Sequence, residues 1–370
     1  MTLGFTPPAY PYDRLAPLAE VARAHPGGAV DLSVGTPHDP PPPVAVDALA
    51  ASGTERGYPP SVGTATLREA AAGWLRRRLG VEMVPSAVAA CMGTKELVAG
   101  LPHWLRLRRP DRDLVLYPAV SYPTYAMGAV LAGCRPVPVP LDDQWRLDLS
   151  AVSVEDAERA VCLWSNTPGN PAGGLDDLAA VAAWGRDHGV PVLSDECYVE
   201  FTWDGPRRSV LQSGSEGVLA VHSLSKRSNL AGLRVGFYAG DPELVGYLSE
   251  LRKHAGFMVP GPVQAAAAAA LGDDAHVDAQ AERYRRRLQR CREIVARGLG
   301  VDVPLPGGSF YLWAAAPGGD AWGLAERLAT DAGCLVAPGE FYGPAPGHVR
   351  MAMVQPDDRL ELLARRLGVE

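Results

Sequence analysis

The chain has 370 residues, 47% of them hydrophobic and 21% charged, with a formal charge of -7. Those proportions exclude a disordered chain, and an acidic balance without any basic cluster excludes a nucleic-acid or anionic-membrane surface. At roughly 150 residues per domain the length implies two domains. The N-terminal segment MTLGFTPPAYPYDR lacks the basic start and apolar core of a targeting signal, and it leads into AVDLSVGTP, a short apolar run closed by a proline-rich turn. PVAVDALAASG and TATLREAAAGWLRRRLG carry helical spacing, with Thr64 or Thr66 placed to cap the second. Short Val- and Leu-rich runs follow at DLVLYP, RPVPVP, RAVCLWS, VPVLSDE, GVLAVHS and VGFYAG, alternating with helical stretches such as LDDLAAVAAWGRDHG. That alternation predicts an α/β domain, a mostly parallel sheet flanked by helices.

Near residue 260 the pattern changes. The stretch from QAAAAAALG to IVARGLG reads as one or two long helices, and beyond it GSFYLWAAA, GLAERLATDAG, CLVAPG, HVRMAM and DDRLELLARRLG describe a small α+β unit. The expected division is an N-terminal segment, 1–40, packing with the small domain; a large domain, 41–272; and a long connecting helix with the C-terminal small domain, 273–370. No apolar run approaches the roughly 18 residues of a membrane span. The six cysteines form no CxxC pair, which predicts reduced thiols, no disulfide, no metal site and a cytoplasmic protein.

Open α/β sheets bind ligands at the carboxyl ends of their strands. Asp195 and Tyr198 follow one predicted strand, Asn170 another, and Ser223, Ser225 and Lys226 a third. Each has an ordinary alternative: a helix cap for Asp195, a turn for Asn170-Pro171, a plain loop for the serines. Of 35 basic residues only Lys95, Lys226 and Lys253 are lysines. An amine can lose its proton and condense with an aldehyde, which a guanidinium cannot, so a surviving lysine is a candidate for chemistry.

The run SLSKRSNLAGLRVG sets Lys226, Gly232, Arg234 and Gly236 at fixed offsets behind two serines, and here the chain resembles the pyridoxal-phosphate aminotransferases of fold type I, class I/II. VDLSVGTP, GYPPSVGTATLREA, GTKE, YPAVSYPTY, PGNPAGG, SDECY, GGSFYLW, APGEFYG and HVRMAM extend the likeness in order over nearly the whole chain. No G-x-G-x-x-G follows an early strand, so a nicotinamide-dependent oxidoreductase has no support. The residues ahead of VDLSVGTP are too few for a DNA-binding module, which argues against a regulator built on such a domain.

The resemblance implies pyridoxal 5'-phosphate as cofactor, with the Lys226 amine bonding its aldehyde and moving the substrate's proton. Asp195 would face the pyridine nitrogen, where a buried anion favours the ring proton. Asn170 and Tyr198 would hydrogen-bond the phenolic oxygen, and Tyr122 would stack on the ring. Gly93, Thr94 and Lys95, opening a predicted helix, would cradle the phosphate with Ser223, Ser225 and Arg234. Lys95 enters through its backbone, its side chain being read as structural, and Lys253 has no role. Tyr58 resembles the tyrosine that reaches the phosphate of a neighbouring subunit, implying a homodimer with active sites at the interface. Arg350 would hold the substrate's α-carboxylate in a two-oxygen fork, with the Gly35 backbone beside it and Asn170 also touching substrate. Ala172 stands where the family usually has threonine, a change expected to affect the local turn and not activity.

Finer likeness, in VDLSVGTPHDPPP, GTKELVAGLP, RKHAGFMVPGPVQAA and LVAPGEFYGP, is to the succinyldiaminopimelate aminotransferases of lysine and diaminopimelate biosynthesis. It implies a ping-pong exchange through pyridoxamine phosphate between glutamate/2-oxoglutarate and N-succinyl-LL-diaminopimelate. The alternatives are an aminotransferase of the same branch acting on aspartate or another amino acid, and a pyridoxal-phosphate-dependent lyase. Tyr10, Tyr12, Arg14 and Glu340 to Tyr342 are candidates for the pocket wall, with a core or lid role as the alternative for each.

Overall fold

The six Val- and Leu-rich runs become six strands of one seven-stranded sheet, in the order Val88–Cys91, Gly236–Gly240, Val218–Ser223, Val192–Asp195, Ala160–Asn166, Leu114–Pro118, Arg135–Val139. The computed structural model describes residues 4–369 and divides into two units. The larger holds residues 36–286 and 306–310; the smaller holds the described residues up to Gly35, residues 287–305, and those from Tyr311 onward. In the larger unit's sheet Gly236–Gly240 runs antiparallel to both neighbours, and the other pairings are parallel. Successive strand residues bury on opposite faces. Leu163, Val192, Ala220 and Phe237 pack with Trp74 and Leu75 on one side, whereas Trp164, Leu193, Val221 and Tyr238 pack with Leu97 and Trp104 on the other. The strand Val88–Cys91 escapes the sequence reading because its run is built on alanine and lacks the β-branched signal.

Short polar side chains start the helices that frame this sheet. Thr64, not Thr66, caps Ala65–Leu79, accepting from Leu67 N at 3.2 Å, and left-handed Gly80 closes it. Asp177 accepts from Ala179 N and Ala180 N, so the helix predicted around LDDLAAVAAW begins at Leu178. The alanine-rich stretch resolves into two helices, Gly261–Gly272 and Ala275–Leu299, with Asp273 between them accepting from Ala275 N at 3.0 Å. Lys253 lies in the last turn of Pro242–His254, exposed beside Glu250. All six cysteines are free thiols. No described helix is long and apolar enough to cross a membrane.

The smaller unit has an antiparallel sheet of Ala337–Pro338, His348–Ala352 and Tyr311–Ala315, and a parallel pair of Val30–Asp31 with Cys334–Leu335. Ala22 of the helix Ala16–Arg23 packs against Ala329 of the helix Ala321–Ala332 and Leu335. Arginines tie down its turns: Arg366 donates to the carbonyls of Pro26, Gly28 and Ala332, and Arg359 to that of Gly27.

One buried carboxylate organises several cations of the larger unit. Glu200 accepts from Trp74 Nε1 at 2.7 Å and Arg78 Nη2 at 2.9 Å, and Arg207 Nε is ion-paired with it at 3.1 Å. Arg227, buried beside Lys226 in sequence, has its Nε 3.8 Å from Glu200, and burial lowers its guanidinium to about 10. Removing one partner of a buried pair costs about 3–5 kcal/mol. Glu200→Gln should therefore lower the unfolding free energy by an amount in that range, read as a lower denaturant midpoint at an unchanged slope; an unmoved midpoint would remove Glu200 from this role.

Candidate functional site

Three parallel strands end on the same edge of the sheet, and Asp195 and Ser223 lie there. Asp195 closes Val192–Asp195, Ser223 closes Val218–Ser223, and Asn166 closes Ala160–Asn166. Asp195 is 9% exposed, and burial raises its carboxyl above the ordinary range. Its Oδ2 accepts from the Tyr125 hydroxyl at 2.8 Å and its Oδ1 from Cys197 N at 3.2 Å. Burial and the Asp195 charge raise the Tyr125 phenol and the Cys197 thiol well above their ordinary values, so both stay protonated donors. The Cys197 thiol points to Thr94 Oγ1 at 3.4 Å, linking the carboxylate to the start of the next cluster. A buried carboxylate held by neutral donors is suited to a cation opposite it, such as a protonated ring nitrogen.

That cluster opens the helix Thr94–Arg108. Gly93 precedes it with φ 79°, and a side chain there would strike the Arg234 guanidinium. Arg234 thus lies over a helix N-terminus, whose free N–H groups and dipole attract an anion. Ser223, also buried, accepts from Ser225 N at 3.1 Å at the start of the short helix Leu224–Arg227, which carries half-buried Lys226 as its third residue. A dianionic phosphate fits Gly93, Thr94, Lys95 and Arg234 by charge and by the room that only a glycine leaves. The Lys95 side chain has a place of its own: Nζ lies 5.5 Å from the Tyr122 ring centroid.

Asn166 holds the remaining polar loop. Its Nδ2 donates to the Asp195 carbonyl at 3.0 Å and its Oδ1 accepts from Asn170 N at 2.8 Å, in a segment with cis bonds at Thr167-Pro168 and Asn170-Pro171. Tyr198 is buried with its ring edge-on to Phe310 at 5.3 Å. Tyr58 stands 96% exposed, and no described hydrogen bond or ring contact joins it to these residues. Tyr125 and Asn166 were missed by the sequence reading. Tyr125 sits in the quoted run SYPTY, three residues beyond Tyr122, which was the available signal.

In the smaller unit, Arg350 is 2% exposed and donates from Nη2 to the Ser33 carbonyl at 2.6 Å. Its guanidinium carbon lies 4.2 Å from the Tyr311 ring, 4.8 Å from Tyr342 and 5.9 Å from Tyr12. Three aromatic faces fix the plane of the fork. Gly35 is pressed against Tyr311, whose hydroxyl a side chain at 35 would strike. Tyr12 and Tyr342 join hydroxyl to hydroxyl at 2.6 Å, so those two pocket-wall candidates are in contact within the unit.

Comparison with known proteins gives concordant likenesses. The family model for aminotransferase class I and II matches residues 28–367. The chain is 47% identical to 4-dedimethylamino-4-oxo-anhydrotetracycline transaminase OxyQ of Streptomyces rimosus, over 97% of this chain and 99% of that one. It is 35% identical to LL-diaminopimelate aminotransferase of Desulforudis audaxviator, over 97% and 95%. Among solved structures, a probable N-succinyldiaminopimelate aminotransferase from Thermus thermophilus superposes with TM-score 0.85 at 32% identity, covering 96% of this chain and 98% of that one.

Beside Asp195, Glu196 is 1% exposed, and burial together with the Asp195 charge raises it to about 7. Its Oε2 lies 3.5 Å from Nε2 of His222, which burial lowers to about 3. A carboxyl raised in the fold stabilises fully below its ordinary value near 4.5 and loses that contribution as pH climbs through about 7. The lowered imidazole works oppositely, its contribution disappearing as pH falls from its ordinary 6.5 towards about 3. Glu196→Gln removes the first effect alone. Its stability relative to the parent chain should rise by about 1–3 kcal/mol between about pH 5 and pH 8 in denaturant titrations, and a pH-independent difference would show that Glu196 titrates normally.

Proposed function

Because the chain belongs to the class I and II aminotransferases, we propose that it is a pyridoxal-phosphate-dependent transaminase. It exchanges the amino group of glutamate with N-succinyl-2-amino-6-oxopimelate, in cytoplasmic lysine and diaminopimelate biosynthesis. The observation that carries the reading is the meeting, within one unit, of a buried carboxylate, an arginine-covered helix N-terminus and a half-buried lysine. When bound, the cofactor supplies an aldehyde and an electron-withdrawing pyridinium ring. Gly93, Thr94 and Lys95, with Ser223, Ser225 and Arg234, hold its phosphate. Asp195, steadied by Tyr125 and Cys197, keeps the proton on the ring nitrogen, and Asp195→Asn would hold the shape without the charge. Tyr122 would stack on the ring, while Asn170 and Tyr198 would donate towards the phenolic oxygen. The Lys226 amine would hold the cofactor at its aldehyde, releasing the aldehyde oxygen as water, and when freed would hold and return the proton at the substrate's α-carbon. Arg350 grips the α-carboxylate beside the Gly35 backbone. Exposed Tyr58 serves a neighbouring copy of the chain, making the working unit a homodimer.

A second reading keeps this machinery and changes the acceptor. The 47% identity to a transaminase named for an oxo-anhydrotetracycline favours a ring ketone in place of the open-chain oxo acid. The deciding experiment mixes the cofactor-loaded enzyme with N-succinyl-LL-diaminopimelate, glutamate, aspartate and aromatic amino acids in single turnovers, and follows conversion of the cofactor to its amine form. Fast conversion by glutamate and the succinylated compound alone supports the biosynthetic reading. An inert succinylated compound discards that substrate, and conversion of the returned amine form by the oxo-anhydrotetracycline installs the second reading. Pyruvate released without an amino acceptor would point to a lyase.

Two variants test the machinery. Lys226→Ala should lose turnover and the visible absorbance of covalently held cofactor while keeping its circular dichroism; multiple turnovers would overturn the assignment. Arg350→Ala should raise KM for α-amino acids on the order of 100-fold, equal to about 3 kcal/mol, and leave simple amines unaffected. Equal effects on both would remove Arg350 from carboxylate binding.

A further inference from the structure

Resting on the transaminase reading above, we propose that Arg14 is the residue that reads the terminal carboxylate of a long dicarboxylic substrate, and that Glu340 holds its place until substrate arrives. The smaller unit contains one aromatic wall with a guanidinium at each end. Arg350 lies over Tyr12 and Tyr342; Tyr12 packs against Phe341 with ring centres 5.4 Å apart; and Arg14 lies 5.8 Å from the Phe341 ring and 4.9 Å from that of Trp322. Two rings therefore stand between the two cations. The Arg350 end is buried and tied to a backbone carbonyl, whereas the Arg14 side chain is 54% exposed.

The pairing at the open end has the character of a replaceable anion. Arg14 Nη1 meets Glu340 Oε1 at 2.7 Å, and Trp322 Nε1 donates to the same oxygen at 2.6 Å. An exposed ion pair of this kind is weak, so a substrate carboxylate can take the place of Glu340 at little cost while the Trp322 N–H keeps the displaced side chain near. The faces of Trp322 and Phe341 hold the guanidinium plane in either state. A substrate with a single carboxylate uses Arg350 alone. One that also carries a carboxylate at the end of a long arm, as the succinyl group of an N-succinylated diamino acid does, engages both, with its aliphatic and amide portion along Tyr12 and Phe341.

The test compares the parent enzyme with Arg14→Gln and Glu340→Gln, each as the cofactor-loaded full chain, on N-succinyl-LL-diaminopimelate, on its N-butanoyl analogue of equal length without the terminal carboxylate, and on glutamate. Arg14→Gln should raise half-saturation for the succinylated compound at least tenfold more than for the butanoyl analogue or glutamate, and Glu340→Gln should lower it several-fold. Equal effects on the succinylated and butanoyl compounds, or none on either, overturn the proposal. If the parent enzyme converts glutamate but not the succinylated compound, the substrate reading fails by itself. Arg14 is then judged by calorimetric binding of sebacate against nonanoate. A preference for the dicarboxylate that disappears in Arg14→Gln sustains its role, and no preference ends it.

Discussion

A carboxylate taken out of water at the carboxyl end of a parallel strand is the constraint to which the surrounding chain responds. Asp195 is buried because the strands on either side of it are, and an anion there without compensation would be strongly disfavoured. Among the described residues its donors are neutral, the Tyr125 phenol and the Cys197 amide. They satisfy its lone pairs without cancelling its charge, so its residual field remains directed at whatever occupies the neighbouring space. The proton affinities of Tyr125 and Cys197 rise for the same two reasons, burial and the adjacent anion.

From that residue hydrogen bonds reach two neighbouring polar segments of the sheet's edge. Cys197 points to Thr94 at the mouth of a helix, and Asn166 clamps the Asp195 carbonyl to the Asn170 backbone. The helix mouth is open because position 93 has no side chain, and Arg234, itself left-handed at φ 52°, occupies the space against it. Positive charge from a guanidinium and from unsatisfied amides is thereby set beside negative charge from Asp195. An elongated ligand with an anion at one end and a protonable ring at the other matches that polarity.

Legibility in the sequence followed the strength of the local signal. The Val- and Leu-rich runs became strands because β-branched residues buried on both faces leave few other options, and Thr64, one of two threonines offered as a cap, starts its helix through its own side-chain bond. Val88–Cys91 lacked that signal; it is a strand because Gly236–Gly240 offers it a partner. Tyr125 and Asn166 were invisible for a similar reason, since a tyrosine in a helix and an asparagine at a strand end are ordinary until their partners, seventy and four residues away, are in place. With 32 arginines in the chain, composition could not separate Arg350, buried among three tyrosine rings, from Arg359 and Arg366, which hold turn carbonyls.

The sequence by itself determined the periodicities, the order of the elements and the run around Lys226 that set it apart from Lys95 and Lys253, because these depend on neighbours a few residues apart. Only the tertiary structure decided which groups share one low-dielectric environment: that Asp195 is desolvated beside Tyr125, that Arg234 lies over Gly93, that Lys95 covers Tyr122, and that Glu196 titrates near neutrality beside His222. Burial and charge proximity are properties of packing across the chain, and they fix proton affinity and anion attraction in ways no local pattern encodes.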